Sequence, residues 1–519
     1  NLAKGVMAAL LLVAALSLGS ASFMAEASAS KNMPSHNIDQ LVLNAMETFN
    51  VPGVAVGIIK DGKIIHAKGY GIRHIGELGP VDEKTLFSIG SISKSFTAVA
   101  LALLEDEGKL KWDDRVVDHL QNFRLHDPWV TREFRIRDLL IHNSGLGLGA
   151  GDLMFFPSQG FSREEIIHNL RHLKPVSSFR SKYAYDNLLY IAAGELISNV
   201  AGVTYEQYVD QFILAPLGMK NCAMDLSTLT ATKNIADPHI FKNGNLQATE
   251  RDVKLGGEVV FAAAGGMQCS VVSTLKWHKM FLSQGELPSG ETFLSKRNVA
   301  EILSPQTLIP LKPDDRKWFG ASYSAYGLAW KLSDFHGYQL AKHSGGLLGM
   351  LSLNAMVPEL KLGIVVYTNQ QAKYARPAIM HQLLEYYTTE TAVDWVAKMQ
   401  ARQQEKSLAI KKELGHIQDA EYAPNKALDI YKGKFRDPWF GVVEISKKGD
   451  SLYFRSKKSA RLKGRLRHFK EDLFIAEWDD RTLNADAYVN FITDFNGLPK
   501  KIEMKAVSSA TDFSFDFHD

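Results

Sequence analysis

The chain has 519 residues, 45% hydrophobic and 23% charged, with a formal net charge of +3 at pH 7. This is enough for a large buried core and more than one domain, and it excludes a disordered chain. So small a net charge gives no global reason to expect nucleic acid as a partner.

Lys4, the apolar residues 6–18 and the small residues around Ala25-Glu26-Ala27 and Ala27-Ser28-Ala29 read as an export signal over residues 1–29. They predict a periplasmic or extracellular protein. The apolar stretch is short for a membrane anchor. Ile38, Leu41, Val42, Ala45, Met46 and Phe49 follow helical spacing and predict an amphipathic first helix. Residues 54–59 and 64–67 flank Asp61-Gly62, a pair suited to a type I′ hairpin. A mostly helical middle follows, including residues 188–200 and a helix opened by the capping box Thr204-x-x-Gln207. Residues 350–356 and 362–368 predict a second hairpin through Pro358-Glu359. A sheet built from both ends of a domain, with helices between, fits this order.

Residues 393–424 read as a helical connector, with Trp395, Met399 and Ala409 as sparse apolar points. Beyond Pro424 the chain turns to short strands at 442–446, 452–455, 473–476, 488–493 and 502–506, with turns at Lys448-Gly449-Asp450 and Asn496-Gly497. Residues 425–519 therefore form a separate small β domain, after a main domain over 30–392. The basic stretch 455–470 suits acidic cell-envelope polymers, but such a run is more often a solvated strand face or loop. Cys222 and Cys269 are the only cysteines. One bridge between them is open, although their apolar neighbours favour two small buried thiols. No His and Cys spacing suggests zinc, and neither metal nor cofactor is expected.

A serine and a lysine three apart at a helix start share one face, which makes serine a nucleophile without histidine. The S-x-x-K pattern occurs three times, at Ser28 to Lys31, Ser91 to Lys94 and Ser273 to Lys276; about two matches are expected by chance. The first lies in the export segment. Ser273 follows Gly265-Gly266 and also suits a helix start. Ser91 has better support: Gly90 permits close backbone approach, and Phe96 with residues 98–104 forms an apolar run that marks a buried central helix.

Phe87-x-x-Gly90-Ser91-x-Ser93-Lys94 resembles the active-site segment of class C β-lactamases and the wider penicillin-recognising serine hydrolases, whose further elements are a Tyr/Ser-x-Asn motif and a K-T-G-like strand. Tyr185-Asp186-Asn187 and His343-Ser344-Gly345-Gly346 answer to these, in the required order. Ile141-His142-Asn143-Ser144-Gly145-Leu146, Tyr326-Gly327-Leu328-Ala329-Trp330 and Gly265-Gly266 resemble other recurring segments of the group and read as architectural. The resemblance covers roughly residues 37–390. It implies an α+β fold of β-lactamase/transpeptidase type: an antiparallel sheet flanked by helices plus an all-helical region. By analogy a small lipocalin-like antiparallel β domain follows.

The resemblance further implies that Ser91 attacks an acyl carbonyl, that Lys94 and Tyr185 share the proton transfers, and that the Ser91 and Gly346 N–H groups form the oxyanion hole. Asn187 would bind Lys94 or the substrate amide, with His343, Ser344 and Gly345 on the substrate side. Which of Lys94 and Tyr185 is the base stays open. Histidine at 343 offers a carboxylate weaker attraction than a lysine would. It points away from a dedicated β-lactamase, toward a peptidase or esterase acting on a small-molecule or peptide substrate, with a β-lactamase or D,D-carboxypeptidase as the alternative. A non-catalytic binder of wall fragments is the reading of another class.

Overall fold

The computed structural model describes residues 32–229, 233–242, 244–253, 256–415, 417 and 426–517. The expected export signal and the pair Ser28 and Lys31 lie outside the described residues. Among the described residues, an eight-stranded sheet runs Lys63–Gly71, Gly53–Lys60, Leu362–Thr368, Met350–Val357, Tyr338–Leu347, Lys331–Phe335, Ser324–Tyr326, Thr307–Leu308. Neighbours are antiparallel throughout. Both predicted hairpins are present, and the first sheet strand pairs with the last, so the two ends of the domain close on each other. Asp61 and Gly62 both take positive φ, 50° and 75°, as a type I′ turn requires.

The central strands Met350–Val357 and Leu362–Thr368 are buried along their whole length because both sheet faces are covered. Val54, Val56 and Ile58 pack with the first helix Ser35–Phe49 and with helices Ala375–Thr388 and Trp395–Leu414, whereas Ala55 faces the larger core of the helical region. That alternation is the period of an extended strand. In the helical region, Lys94–Asp106 and Leu188–Ala201 are buried nearly all round. Thr204 Oγ1 accepts from the Gln207 amide, completing the expected capping box. In the connector helix Trp395–Leu414, Trp395 and Met399 are buried but Ala409 is exposed.

The C-terminal region is a seven-stranded antiparallel meander, Gly433–Asp437 through Pro499–Ala506, whose first and last strands approach each other to give a nearly closed barrel. Two of its strands escape the sequence reading. One is Lys463–Lys470, inside the basic stretch: Gly464, Leu466 and His468 point inward while Lys463 and Arg465 face out. Several cations of the stretch are matched, Lys457 by Glu444, Lys458 by Glu165 and Arg461 by Asp252 and Asp480.

Cys222 and Cys269 form a disulfide, which corrects the expectation of two separate thiols. Strands Cys222–Ala223 and Phe87–Ser88 flank Gln268–Cys269, and the register sets Cys222 opposite Cys269, with Cα atoms 4.0 Å apart. Local apolar composition carries no trace of a pairing made across 47 residues. For a loop of that length, chain entropy gives about 4 kcal/mol. The double Cys→Ser variant is expected to lose roughly that much in urea unfolding, and an unchanged midpoint would refute it.

Candidate active site

Ser91 is delivered by a tight backbone passage. After the strand Phe87–Ser88 the chain turns through Gly90 at φ +51°, and a Cβ there would stand 2.6 Å from the Gly346 nitrogen. Glycine alone satisfies both the left-handed conformation and the close approach. Ser91 lies in the 3-10 turn Gly90–Ser93, and the α-helix begins at Lys94. Ser93 Oγ ties the turn down, donating to Gly90 O at 2.7 Å and accepting from Met267 N at 3.1 Å. From behind, Gly345 packs so closely on Ile89 that an added Cβ would meet its carbonyl at 1.9 Å.

Lys94 is fully buried. Its Nζ lies 3.2 Å from Ser91 Oγ, 2.7 Å from Asn187 Oδ1 and 2.7 Å from the Ala264 carbonyl. As a neutral amine its two hydrogens serve Asn187 and Ala264, leaving the lone pair toward Ser91. Burial pulls its pKa down to about 7, against the opposing charges of Asp152 and Asp186. Tyr185 sits with its ring 4.9 Å from Lys94 Nζ. Its hydroxyl has no hydrogen-bond partner among the described residues. Burial pushes that phenol well above its ordinary pKa, with Ser91 the neighbour that opposes the rise. Tyr185 is thereby held protonated at neutral pH, while Lys94 is near half-neutral.

Asn187 extends the network. Its Nδ2 donates to Asp152 Oδ2 at 2.7 Å, and the same oxygen accepts from Ser514 Oγ at 2.8 Å. Burial drives the Asp152 carboxyl well above the usual range. Asp186 is pushed up to about 7, mainly by burial, while it caps the next helix through Leu189 N. His142, in a left-handed conformation with φ 57°, braces the Tyr185 segment as expected. Its carbonyl accepts from Ala184 N at 2.9 Å and its Nδ1 from Asp186 N at 3.1 Å.

His343 lies in the strand Tyr338–Leu347. Its Nδ1 is 2.7 Å from the Ser344 carbonyl and its Nε2 2.7 Å from the Tyr326 hydroxyl. A carbonyl only accepts, so Nδ1 carries the hydrogen and Tyr326 donates to Nε2. Burial, aided by the charge of Lys94, pulls His343 down to about 3. It is therefore a neutral imidazole with both nitrogens engaged inside the protein. Arg376 ties this strand to its neighbour Met350–Val357, donating to Gly345 O and Ser352 O.

Ser91, Tyr185, Asn187, His343, Ser344, Gly345 and Gly346 line one cavity of about 870 Å³. The structure thus brings together the residues that the sequence singled out, with Lys94 beneath them. The rival pair does not meet: Ser273 Oγ accepts from Asn221 N and Lys276 donates to Gly218 O. Asp152, Ser514 and Arg376 escape sequence reading altogether. The C-terminal domain forms part of the cavity wall through Leu483, Asn484 and residues 512–515, and the Phe513 ring packs 5.7 Å from that of Tyr185.

The Beta-lactamase family model matches residues 38–386. The chain belongs to the beta-lactamase family. Residues 418–519 match a domain of unknown function, DUF3471. An unguisins hydrolase of Aspergillus campestris is 27% identical over 358 residues, covering 67% of this chain and 64% of the fungal protein, so this chain spans a little under two thirds of that relative. Protein flp of Staphylococcus aureus is 24% identical over 67% of this chain and 66% of its own length. The octameric penicillin-binding protein homologue from Pyrococcus abyssi superposes with a TM-score of 0.61 at 24% identity, covering 91% of this chain and 100% of that one. That likeness extends the shared fold through the C-terminal barrel. Family membership places the chain in the β-lactamase-related serine hydrolase superfamily.

Proposed function

We propose that Ser91 is acylated by the carbonyl of a small peptide, amide or ester, with Lys94 as the base. The observation that carries this reading is the Lys94 amine, buried, 3.2 Å from Ser91 Oγ and with its other contacts already matched by Asn187 and Ala264. As Ser91 Oγ attacks, its proton passes to Lys94 Nζ. The oxyanion would lie against the Ser91 and Gly346 N–H groups. Protonated Lys94 returns that proton to the leaving group, directly or relayed through the Tyr185 hydroxyl, which takes it from Lys94 as it gives up its own, and water then releases the acyl group by the same route reversed. The wall supplied by the C-terminal domain favours short substrates, and the apolar residues 6–18 support action outside the cytoplasm.

Intact-mass measurement after treatment with a fluorophosphonate tests the nucleophile. One adduct is expected on the folded protein and none on Ser91→Ala. An unmodified parent protein would favour a non-catalytic binder. Parallel turnover of a chromogenic cephalosporin, a short acyl ester and D-amino-acid peptides separates the enzyme readings; dominant cephalosporin turnover would overturn the preference for a peptidase or esterase.

A further inference from the structure

Strands Lys331–Phe335 and Tyr338–Leu347 pair so that Lys331 stands directly opposite Lys342. Side chains alternate along a strand, so Lys342 and Ser344 share one face while His343 points to the other. Lys331 and Lys342 both line the cavity that holds Ser91, and Lys312 joins them at its exposed edge. Like charges directly opposite in a sheet repel, and these two are half-buried, where water screens them less. Neither ammonium has a hydrogen bond or an ion pair among the described residues. Asp315 is the carboxylate that acts on both, without reaching ion-pair distance of either.

Arg163 and Arg461, also partly buried, are matched by carboxylates, Arg163 by Glu206 and Glu195, Arg461 by Asp252 and Asp480. Lys331 and Lys342 have no such carboxylate, Lys342 having only the Phe319 ring 5.9 Å from its Nζ, and the pair lines the cavity that holds Ser91. Burial, reinforced by the charge of Lys331, pulls Lys342 down to about 8. Unmatched charge of this kind is tolerated where a ligand supplies the missing partner. The neutral His343 brings no positive charge to this wall, and Arg376 directs Nη1 to two backbone carbonyls.

We infer that Lys331 and Lys342, with Lys312 at the rim, form a subsite for an anionic group, carboxylate or phosphate, that the substrate carries away from its scissile carbonyl. This rests on the proposed hydrolytic reading in taking the anion as part of the substrate. The acyl end lies at Ser91, and the chain passes the Ser344 edge of the strand to set its charge between the two ammonium groups.

Calorimetry on Ser91→Ala with three matched ligands tests the subsite: hexanoyl anilide, its ω-carboxylate and its ω-phosphonate counterpart. At least one anionic ligand is expected to bind about tenfold or more tightly than the neutral one, and the stronger of the two identifies the anion. Lys331→Gln and Lys342→Gln, each in the Ser91→Ala background, should remove that preference while leaving hexanoyl anilide binding within about twofold. Equal binding of all three ligands overturns the inference, as does an anionic preference that survives both substitutions. The corresponding nitrophenyl esters, turned over by the protein with Ser91 intact, should show the preference in KM. Failure on every ester would strike at Ser91 as nucleophile, while the calorimetry still decides the subsite.

Discussion

Lys94→Met is expected to lower the rate of phosphonate labelling at Ser91 by about 10³-fold or more, within and beyond the usual range for a lost general base. The fold should persist, because methionine matches the apolar stem of a side chain already buried in the helical core. Lys94→Arg should not restore the rate, since a guanidinium stays charged and has no lone pair to offer. In the parent protein the sign of the pH dependence follows from the same burial. Lys94 titrates at about 7, so labelling should be constant above that value and fall about tenfold per unit below it, as protonation consumes the lone pair. A rate still climbing through pH 9 would assign the proton transfer to another group.

The second large effect is expected from a residue far away in sequence. Ser514→Ala removes one of the two donors to Asp152 Oδ2, leaving Asn187 alone on that oxygen. Because the Asn187 amide orients Lys94 through its other end, we expect kcat to fall by about 10–100-fold, the scale of a displaced catalytic group. A pH profile separates positioning from general loosening. The Ser514 hydrogen bond lowers the Asp152 pKa, and the Asp152 charge raises that of Lys94. Losing it leaves Asp152 less ionised, so the acid limb of the rate should move to lower pH even as the plateau drops. Ser514→Thr keeps a donor and should recover most of the rate. A loss of activity with no movement of the limb would mean that Ser514 only packs.

The main sheet and the buried helix behind Ser91 were legible because they rest on short-range signals. Alternation in residues 54–59, the Asp61-Gly62 turn and the apolar run after Ser91 each follow from the conformation of a few neighbouring residues. Tyr185 and His343 were found because an ordered set of motifs stands in for spatial proximity. Asp152 was invisible for the opposite reason: nothing in Gly149-Ala150-Gly151-Asp152 distinguishes a surface loop from a buried carboxyl, and its partners lie 35 and 362 positions away. The disulfide was missed on the same principle, and the strand Lys463–Lys470 because counting charges conceals the alternation of Gly464, Leu466 and His468 among them. The proposed preference for Lys94 over Tyr185 as base rests on burial and hydrogen-bond partners, which spacing does not contain.

The contact between Ser514 and Asp152 also bears on the order in which the chain is made. Ser91, Lys94, Tyr185 and Asn187 leave the ribosome hundreds of residues before Ser514, so a nascent or truncated chain holds its proposed nucleophile and base without the Ser514 donor to Asp152. If Ser514→Ala has the effect expected above, the site reaches full strength only after synthesis has passed the barrel. Proteolytic loss of the segment following the last barrel strand would weaken it without touching the nucleophile.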